Sequence, residues 1–242
     1  MVKIQFRPYF IGKYDSLTGF TSNIIYDKIR DVNRYKKAVK NMTISWHGFN
    51  YFRLKNGEHT LVINPYALDK ATKFSKAKGD VILFSDSSQV AKIKMDSDSF
   101  VIDSQGEYEV KDVFVYGKAL NGNIIYYIIF EDIKIAFLGE FGHEELANSY
   151  LELVEGADIL IVPVGGGDLT TAKEAAKIIR QVEPRIVIPS CHKAGSFKLK
   201  ADDVLDFIKE ISTKPEIEDK FKIKKKDLPQ DDMKLIILNL QK

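Results

Sequence analysis

The order of the strand and helix signals constrains the fold of this chain more than any other feature. Residues 42–138 carry a dense series of short alternating or apolar runs separated by Gly, Asn, Asp and Ser, which is typical of β-strands joined by turns. From residue 133 onward, apolar strands alternate with amphipathic helices, as they do in βαβ units. This order predicts one compact α/β domain made of two related halves.

The spacing of the apolar residues predicts the individual elements. Strands are expected over 43–46, 51–54, 61–63, 81–84, 100–102, 108–110, 113–116, 124–130, 133–138, 159–164, 186–188 and 235–240. Helical spacing predicts helices over 143–154 and 204–211. A further helix is expected behind Thr171, because Thr171 and Glu174 form a capping-box pattern.

Residues 1–41 differ from the rest of the chain. A short strand is expected over 2–9, and apolar residues then recur at the spacing of an amphipathic helix over 23–40. We therefore predict that 1–41 form an N-terminal extension and that 42–242 form the main domain, with Met42 as a candidate alternative start. The predicted helix either docks a partner or a second subunit, or covers the main domain of its own chain.

Composition narrows the classes of function. Hydrophobic residues make up 45% of the chain and charged residues 29%, which is ordinary for a globular protein. The net charge of +2 argues against nucleic acid or an anionic membrane as the main partner. A single cysteine cannot form an internal disulfide, and no run approaches the ~20 apolar residues that span a bilayer. We expect a cytoplasmic protein whose partner is a small molecule or a protein, with a homo-oligomer left open.

Five segments, taken in order, resemble a known protein family. They are 45–49 with 63–66, 106–110 with 113–117, 137–143, 161–167 running into 172–176, and 186–189 followed by 224–229. Together they resemble the metallo-β-lactamase-fold hydrolases, and specifically the small branch related to the ascorbate-6-phosphate lactonases. The resemblance implies an αββα sandwich of two mixed β-sheets flanked by helices, with the active site at one edge.

The family's chemistry is hydrolysis by metal-activated water, for which one or two zinc ions are held mainly by imidazoles. Its defining motif is His-x-His-x-Asp-His just after a buried strand, and the matching strand here is 81–84. By position, Asp86 and Ser88 replace the first two histidines, Val90 replaces the aspartate and Ala91 replaces the last histidine. Val and Ala cannot bind a metal, so the resemblance implies that this motif has been lost.

The other ligand positions implied by the resemblance have also changed. Phe49 stands at the first-strand histidine position, and Glu140 stands where the family has a bridging aspartate. The last histidine is replaced by Cys191, with His192 one residue later, and neighbours on an extended strand point to opposite faces. His143 matches a histidine often found beside the carboxylate motif.

Three functions follow from this pattern. The first is a family member without the standard dinuclear site, which is then non-catalytic or altered in activity and needs no cofactor. The alternative is a working zinc- or manganese-dependent hydrolase, of the lactone or phosphoester type, that uses Asp86, Glu140, Cys191 and a displaced histidine. The third is an enzyme in which Cys191 acts as a nucleophile. Against a remnant or rewired metal site stands the simpler interpretation of Asp86, Glu140 and Cys191 as ordinary polar residues at strand ends. Against the nucleophile stands the commoner case of a buried, inert thiol.

Two further patterns favour structural roles. The glycines at 165–167 precede a helix, where backbone amides can bind an anion, but a tight loop near the active-site edge is the preferred interpretation. A basic run formed by Lys222 and residues 224–226 is interpreted as solvated surface rather than as a nucleic-acid patch.

Overall fold

Two β-sheets packed face to face form the centre of the structure, a computed structural model that describes residues 40–66, 76–142, 145–194 and 201–241. The first sheet contains β1 (Met42–Trp46), β2 (Phe52–Lys55), β3 (Thr60–Ile63), β4 (Val81–Leu83), β5 (Phe100–Ile102) and β13 (Phe221–Ile223), in the order β13-β1-β2-β3-β4-β5. The second contains β6 (Gly106–Val110), β7 (Val113–Leu120), β8 (Asn123–Phe130), β9 (Ile133–Phe137), β10 (Ile159–Pro163), β11 (Ile186–Ser190), β12 (Pro215–Glu218) and β14 (Lys234–Leu238), in the order β12-β14-β11-β10-β9-β8-β7-β6. Both sheets mix parallel and antiparallel pairs, which confirms the predicted α/β sandwich.

Three helices complete the described part of the sandwich: α1 (Asn148–Val154), α2 (Ala172–Val182) and α3 (Val204–Ile211). The capping box of α2 is present as predicted, with Thr171 and Glu174 each bonded to the other's backbone. The prediction for α1 was wrong at its start, because the helix begins at Asn148 and not at residue 143. The amide of Gln181 bonds both backbone groups of Leu146, which ties this stretch to α2 before the helix begins.

Alternation along the strands explains how the layers pack. In β1, Met42, Ile44 and Trp46 are buried between the two sheets, whereas Thr43 and Ser45 lie on the outer face. A second apolar layer fills the space between the outer face of the large sheet and the helices. A smaller cluster that includes Cys191 covers part of the outer face of the first sheet. No helix in the described ranges is long and apolar enough to cross a membrane.

The candidate site lies where several strands end. The strands β3 and β4 are parallel to each other, as are β9, β10 and β11, so the carboxyl ends of each set lie at one edge of its sheet. One or two residues after three of these strands, the backbone adopts left-handed angles: Asn64 after β3, Gly139 after β9 and Cys191 after β11. These sharp turns bring the side chains that follow each strand together at the edge of the sandwich.

Two strands of the structure were not predicted. The strands β12 and β13 carry alternating charged residues and few apolar ones, so their sequence resembles surface loops. They pair only at the outer edges of the two sheets, where one side of a strand faces solvent. The predicted strand over 2–9 lies outside the described residues, as does the predicted helix over 23–40 apart from Lys40.

Candidate functional site

Glu140 lies at the end of β9 in a turn that only glycine can make. Gly139 has a φ of 64°, and a Cβ on it would lie 2.3 Å from Oδ1 of Asn123 and 2.8 Å from the Cβ of Ser85. The backbone N–H of Glu140 donates to Oδ1 of Asn123 at 3.0 Å. The turn therefore fixes the backbone of Glu140 and directs its carboxylate toward Tyr66.

A short hydrogen bond joins Tyr66 to Glu140. The Tyr66 hydroxyl donates to Oε1 of Glu140 at 2.5 Å. Burial raises the pKa of Glu140; the bond from Tyr66 acts against this shift, and the charge of Asp86 adds to it. Burial and the charge of Glu140 both raise the pKa of Tyr66, so its hydroxyl stays protonated and acts as the donor.

Asp86 is held by its own loop. It caps a 3₁₀ helix over Ser87–Lys92, and its carboxylate accepts from the N–H of Ser88 at 2.9 Å, from the Ser88 hydroxyl at 2.9 Å and from Nε2 of Gln89 at 2.7 Å. Burial raises the pKa of Asp86, but the bonds from Gln89 and Ser88 outweigh it and leave that pKa below its usual value. Ser88 and Ala91 are exposed on this short helix.

Cys191 and His192 point in different directions. Cys191 has a φ of 59°, and its N–H donates to the carbonyl of Phe49 at 2.9 Å. Its thiol is buried and accepts a long bond of 3.7 Å from the Ser190 hydroxyl. The ring of His192 lies 4.5 Å from the ring of Trp46, whose side chain belongs to the core between the sheets. The imidazole therefore does not share the surroundings of the neighbouring thiol.

Both groups are held in their neutral forms. Burial raises the pKa of Cys191 well above its usual value; the bond from Ser190 opposes the shift and the charge of Glu140 adds to it. Burial lowers the pKa of His192, and Nδ1 of its ring donates to the carbonyl of Lys193 at 3.1 Å. The adjacent thiol and imidazole thus form no nucleophile–base pair.

Four side chains from separate strand ends interact electrostatically at this edge. The charge of Asp86 raises the pKa of Glu140, and the charge of Glu140 raises the pKa values of Tyr66 and Cys191. His143 lies outside the described residues. Within the described part of the chain, no three His, Cys, Asp or Glu side chains are grouped closely enough to hold a metal ion.

Sequence reasoning missed the polar residues that support this edge. Nδ2 of Asn64 donates to the Ser85 hydroxyl at 2.7 Å, and the N–H of Ser85 donates to Oδ1 of Asn64 at 2.8 Å, so the loops after β3 and β4 are locked together. Both residues are buried. Asn64 and Tyr66 lie in segment 63–66. Their amide and phenol groups are not usual zinc ligands, so the metal-site pattern does not mark them.

Comparisons with known proteins agree with this architecture. A family model described as the beta-lactamase superfamily domain matches residues 43–191. A UPF0173 protein of Pyrococcus furiosus is 33% identical over 63 residues, which is 26% of this chain and 29% of that protein. The matched region thus spans less than a third of that curated relative.

Solved structures extend the likeness over most of the chain. A Thermotoga maritima protein assigned to the Zn-dependent hydrolases of the metallo-beta-lactamase superfamily superposes with a TM-score of 0.70 at 26% identity, covering 82% of this chain and 99% of that one. Igni18, a metallo hydrolase of Ignicoccus hospitalis, gives a TM-score of 0.55 at 12% identity, covering 72% of this chain and 91% of its own. The second likeness shows the fold alone.

Proposed function

The chain belongs to the beta-lactamase superfamily, and from that membership we propose that it is a metallo-β-lactamase-fold protein whose edge site has given up metal-dependent hydrolysis for a binding or structural role. The observation that carries this proposal is the 2.5 Å bond from the Tyr66 hydroxyl to Glu140, the residue that the resemblance matches to the family's bridging aspartate. One oxygen of this carboxylate is therefore satisfied by a protein donor, and within the described residues no three His, Cys, Asp or Glu side chains are grouped around it to complete a metal site.

The remaining donors fit a zinc ion poorly. Zinc sites use thiolate, imidazole and carboxylate ligands in tetrahedral arrangement, and the ligands must be deprotonated. Burial favours the neutral thiol of Cys191, and His192 is directed to Trp46. The oxygens of Asp86 already accept three hydrogen bonds from Ser88 and Gln89. No step of a reaction is therefore assigned to a metal here.

The alternative is a zinc- or manganese-dependent hydrolase with a rewired ligand set. Its support is that the charge of Asp86 acts on the pKa of Glu140 and the charge of Glu140 acts on the pKa of Cys191, so three ligand-type residues belong to one edge of the sandwich. In the described structure they are not grouped closely enough to hold an ion, so binding would need their side chains to move together. To hold an ion, Glu140 would have to use its second oxygen while Tyr66 keeps the first, and the Cys191 thiol would have to ionise. The two proposals therefore make opposite predictions for metal content.

Metal analysis of the full chain, purified without a chelating tag, separates them. Under the main proposal we expect far less than one zinc or manganese per chain and no change of melting temperature with EDTA. A bound ion stabilises the folded state, by about 2.7 kcal/mol at a free concentration one hundred times its Kd, so its removal would lower the melting temperature. Stoichiometric metal that Asp86→Asn and Cys191→Ser each abolish would establish the alternative and refute the main proposal.

We further propose that the chain lies near the ascorbate-6-phosphate lactonase branch, on the basis of the five segments in their order. A phosphorylated sugar lactone is accordingly the first substrate to assay. We expect no hydrolysis above the uncatalysed rate, because no described group of side chains is suited to activating a water molecule with a metal. Turnover that EDTA abolishes would instead favour the hydrolase alternative.

The domain division and the location are also proposals. We propose that 1–41 form an extension and that 42–242 form the superfamily domain of a cytoplasmic protein. Limited proteolysis with mass spectrometry tests the division, since an exposed connection should be cut near residue 41 while the domain stays intact. Primary cleavage within 76–142 would contradict it. Fractionation of cells that express the native gene tests the location.

A further inference from the structure

A polar groove lies on the outer face of the first sheet, along β13, β1 and β2. Since alternate residues of a strand face opposite sides, the residues that flank the buried positions of β1 and β2 point outward. The groove has a volume of about 660 Å³. None of its described lining residues is acidic, and four of them are cations: Arg53, Lys55, Lys220 and Lys222.

Strand register arranges these cations in two rows. Thr43 pairs with Lys55 on one side and with Lys222 on the other, which makes a row of cation, hydroxyl and cation. Ser45 pairs with Arg53, and continuation of the β1–β13 register places Lys220 on its other side.

The two rows carry the same kinds of group, a hydroxyl between two cations, and lie close together. They are two residues apart along β1, or about 7 Å. Each row offers two positive charges and one hydroxyl, which are groups suited to binding one phosphate. The Ser45 hydroxyl lies 3.2 Å from Nε2 of His47 and 3.4 Å from the carbonyl of Arg53, so it has to turn away from them to donate to a phosphate. The sheet thus presents two neighbouring phosphate subsites.

The charges in the groove are not neutralised by the described protein. None of the four cations forms a salt bridge with a described carboxylate, and Nε of Arg53 has no hydrogen-bond partner among the described residues. The Arg53 guanidinium is nevertheless oriented, because Nη2 donates to the carbonyl of Lys78 at 3.1 Å. Burial, and then the charges of Arg53, Lys220 and Lys55, lower the pKa of His47 to about 4. A bound anion would relieve the repulsion that these charges exert on one another.

We propose that this groove binds a small molecule carrying two phosphate groups, joined through a short linker with one phosphate on each row, or joined directly with the flexible lysine side chains of both rows converging on the pair. The volume lies within the roughly 300–1,000 Å³ of small-ligand pockets, and two rows provide for two phosphates rather than for an extended strand. Nucleic acid is the less favoured ligand, because its binding depends on many phosphate contacts and the chain has a net charge of only +2.

Calorimetric titration of the full chain with four probes tests the proposal at constant ionic strength. The probes are inorganic phosphate, pyrophosphate, a hexose bisphosphate and a ten-nucleotide single strand. We expect pyrophosphate or the hexose bisphosphate, which are called the bisphosphate probes below, to bind at least about tenfold more tightly than phosphate, since two subsites act together on one ligand. The probe that binds more tightly tells whether the phosphates are joined directly or through a linker. Tighter binding of the oligonucleotide than of both bisphosphate probes would overturn the proposal in favour of nucleic acid.

Charge-removing variants locate the site. The double variant Lys55→Gln/Lys222→Gln removes one row and should abolish the preference for two phosphates, leaving an affinity close to that for inorganic phosphate. Lys173→Gln/Lys226→Gln is the matched control, because it removes two exposed charges that do not line the groove. Equal affinities in the double variant, the control and the wild type would refute the assignment, as would no saturable binding of either bisphosphate probe.

The pKa of His47 provides a readout that does not depend on mutation. A bound dianion offsets the charges of Arg53, Lys220 and Lys55, so NMR titration with saturating ligand should show the pKa of His47 rising from about 4. An unchanged value in the presence of bound pyrophosphate would place the ligand elsewhere on the protein and overturn the assignment to this groove.

Discussion

Tyr66→Phe tests the central contact of the edge site, because it removes one hydroxyl and leaves the aromatic ring in its apolar cluster. The lost bond is 2.5 Å long and ends on a carboxylate. Hydrogen bonds to charged groups contribute about 1.5–3 kcal/mol, against about 1 kcal/mol for a bond between neutral groups. We therefore expect Tyr66→Phe to lower the free energy of unfolding by about 2 kcal/mol at pH 8.

The loss of unfolding free energy in Tyr66→Phe should depend on pH, and the direction of this dependence follows from the raised pKa of Glu140. The pKa of Glu140 is higher in the folded state than in the unfolded state, so the folded state binds this proton more tightly. The stability that protonation contributes is fully present below the pKa of Glu140 in the unfolded chain. It is lost as the pH rises through the pKa of Glu140 in the folded protein. Without Tyr66 the folded pKa rises further, because the bond that lowers it is gone. At pH 5 the variant can avoid part of the cost by protonating Glu140, whereas at pH 8 it bears the full cost.

Urea denaturation of the wild type and variant at pH 5 and pH 8 measures this difference. Tyr126→Phe is the matched control, because its buried hydroxyl donates to the carbonyl of Phe84 at 2.8 Å and not to a titrating group. Its destabilisation should be about 1 kcal/mol at both pH values. If Tyr66→Phe behaved like Tyr126→Phe, with the same loss at both pH values, the reasoning about Glu140 would be refuted.

Three further predictions concern neighbouring residues. Glu140→Gln keeps an acceptor for Tyr66 but removes a buried charge that is present in the wild type mainly at high pH. The free energy of unfolding of the variant, relative to that of the wild type, should therefore be higher at pH 8 than at pH 5. The reverse order in urea denaturation would contradict the raised pKa of Glu140. Cys191 should react with a thiol reagent only after unfolding, and fast labelling of the native protein, measured by mass, would reopen the nucleophile hypothesis. Gly139→Ala should lower the melting temperature far more than Gly122→Ala, because both have positive φ but only Gly139 lacks room for a Cβ; equal effects in calorimetry would argue against the tight turn.

The fold could be predicted further from the sequence than the site could. The strands β4 and β10 could be recognised from their continuous apolar sequence, because a strand that is buried on both faces needs one. The edge strands β12 and β13 could not be found in this way, since their register depends on neighbours far away in the chain.

At the site, the changed ligand positions could be located, but their contacts could not. The bond between Tyr66 and Glu140 joins residues 74 positions apart, and no local spacing encodes it. The separate directions of Cys191 and His192 depend on the left-handed turn at Cys191, which β-strand alternation alone does not specify. The structure therefore contributes the partner of each carboxylate, which the sequence does not reveal.

The edge site and the groove differ in the sign of their charge, and this difference limits what each can bind. At the edge, the charge of Asp86 raises the pKa of Glu140, so an added phosphate would meet two carboxylates. In the groove, a phosphate meets four cations and no described acidic lining residue. A phosphorylated ligand should therefore choose the groove, and Tyr66→Phe should leave its affinity unchanged because the two sites share no residue. A loss of pyrophosphate binding in Tyr66→Phe, measured by the same calorimetry, would show that the two sites are coupled.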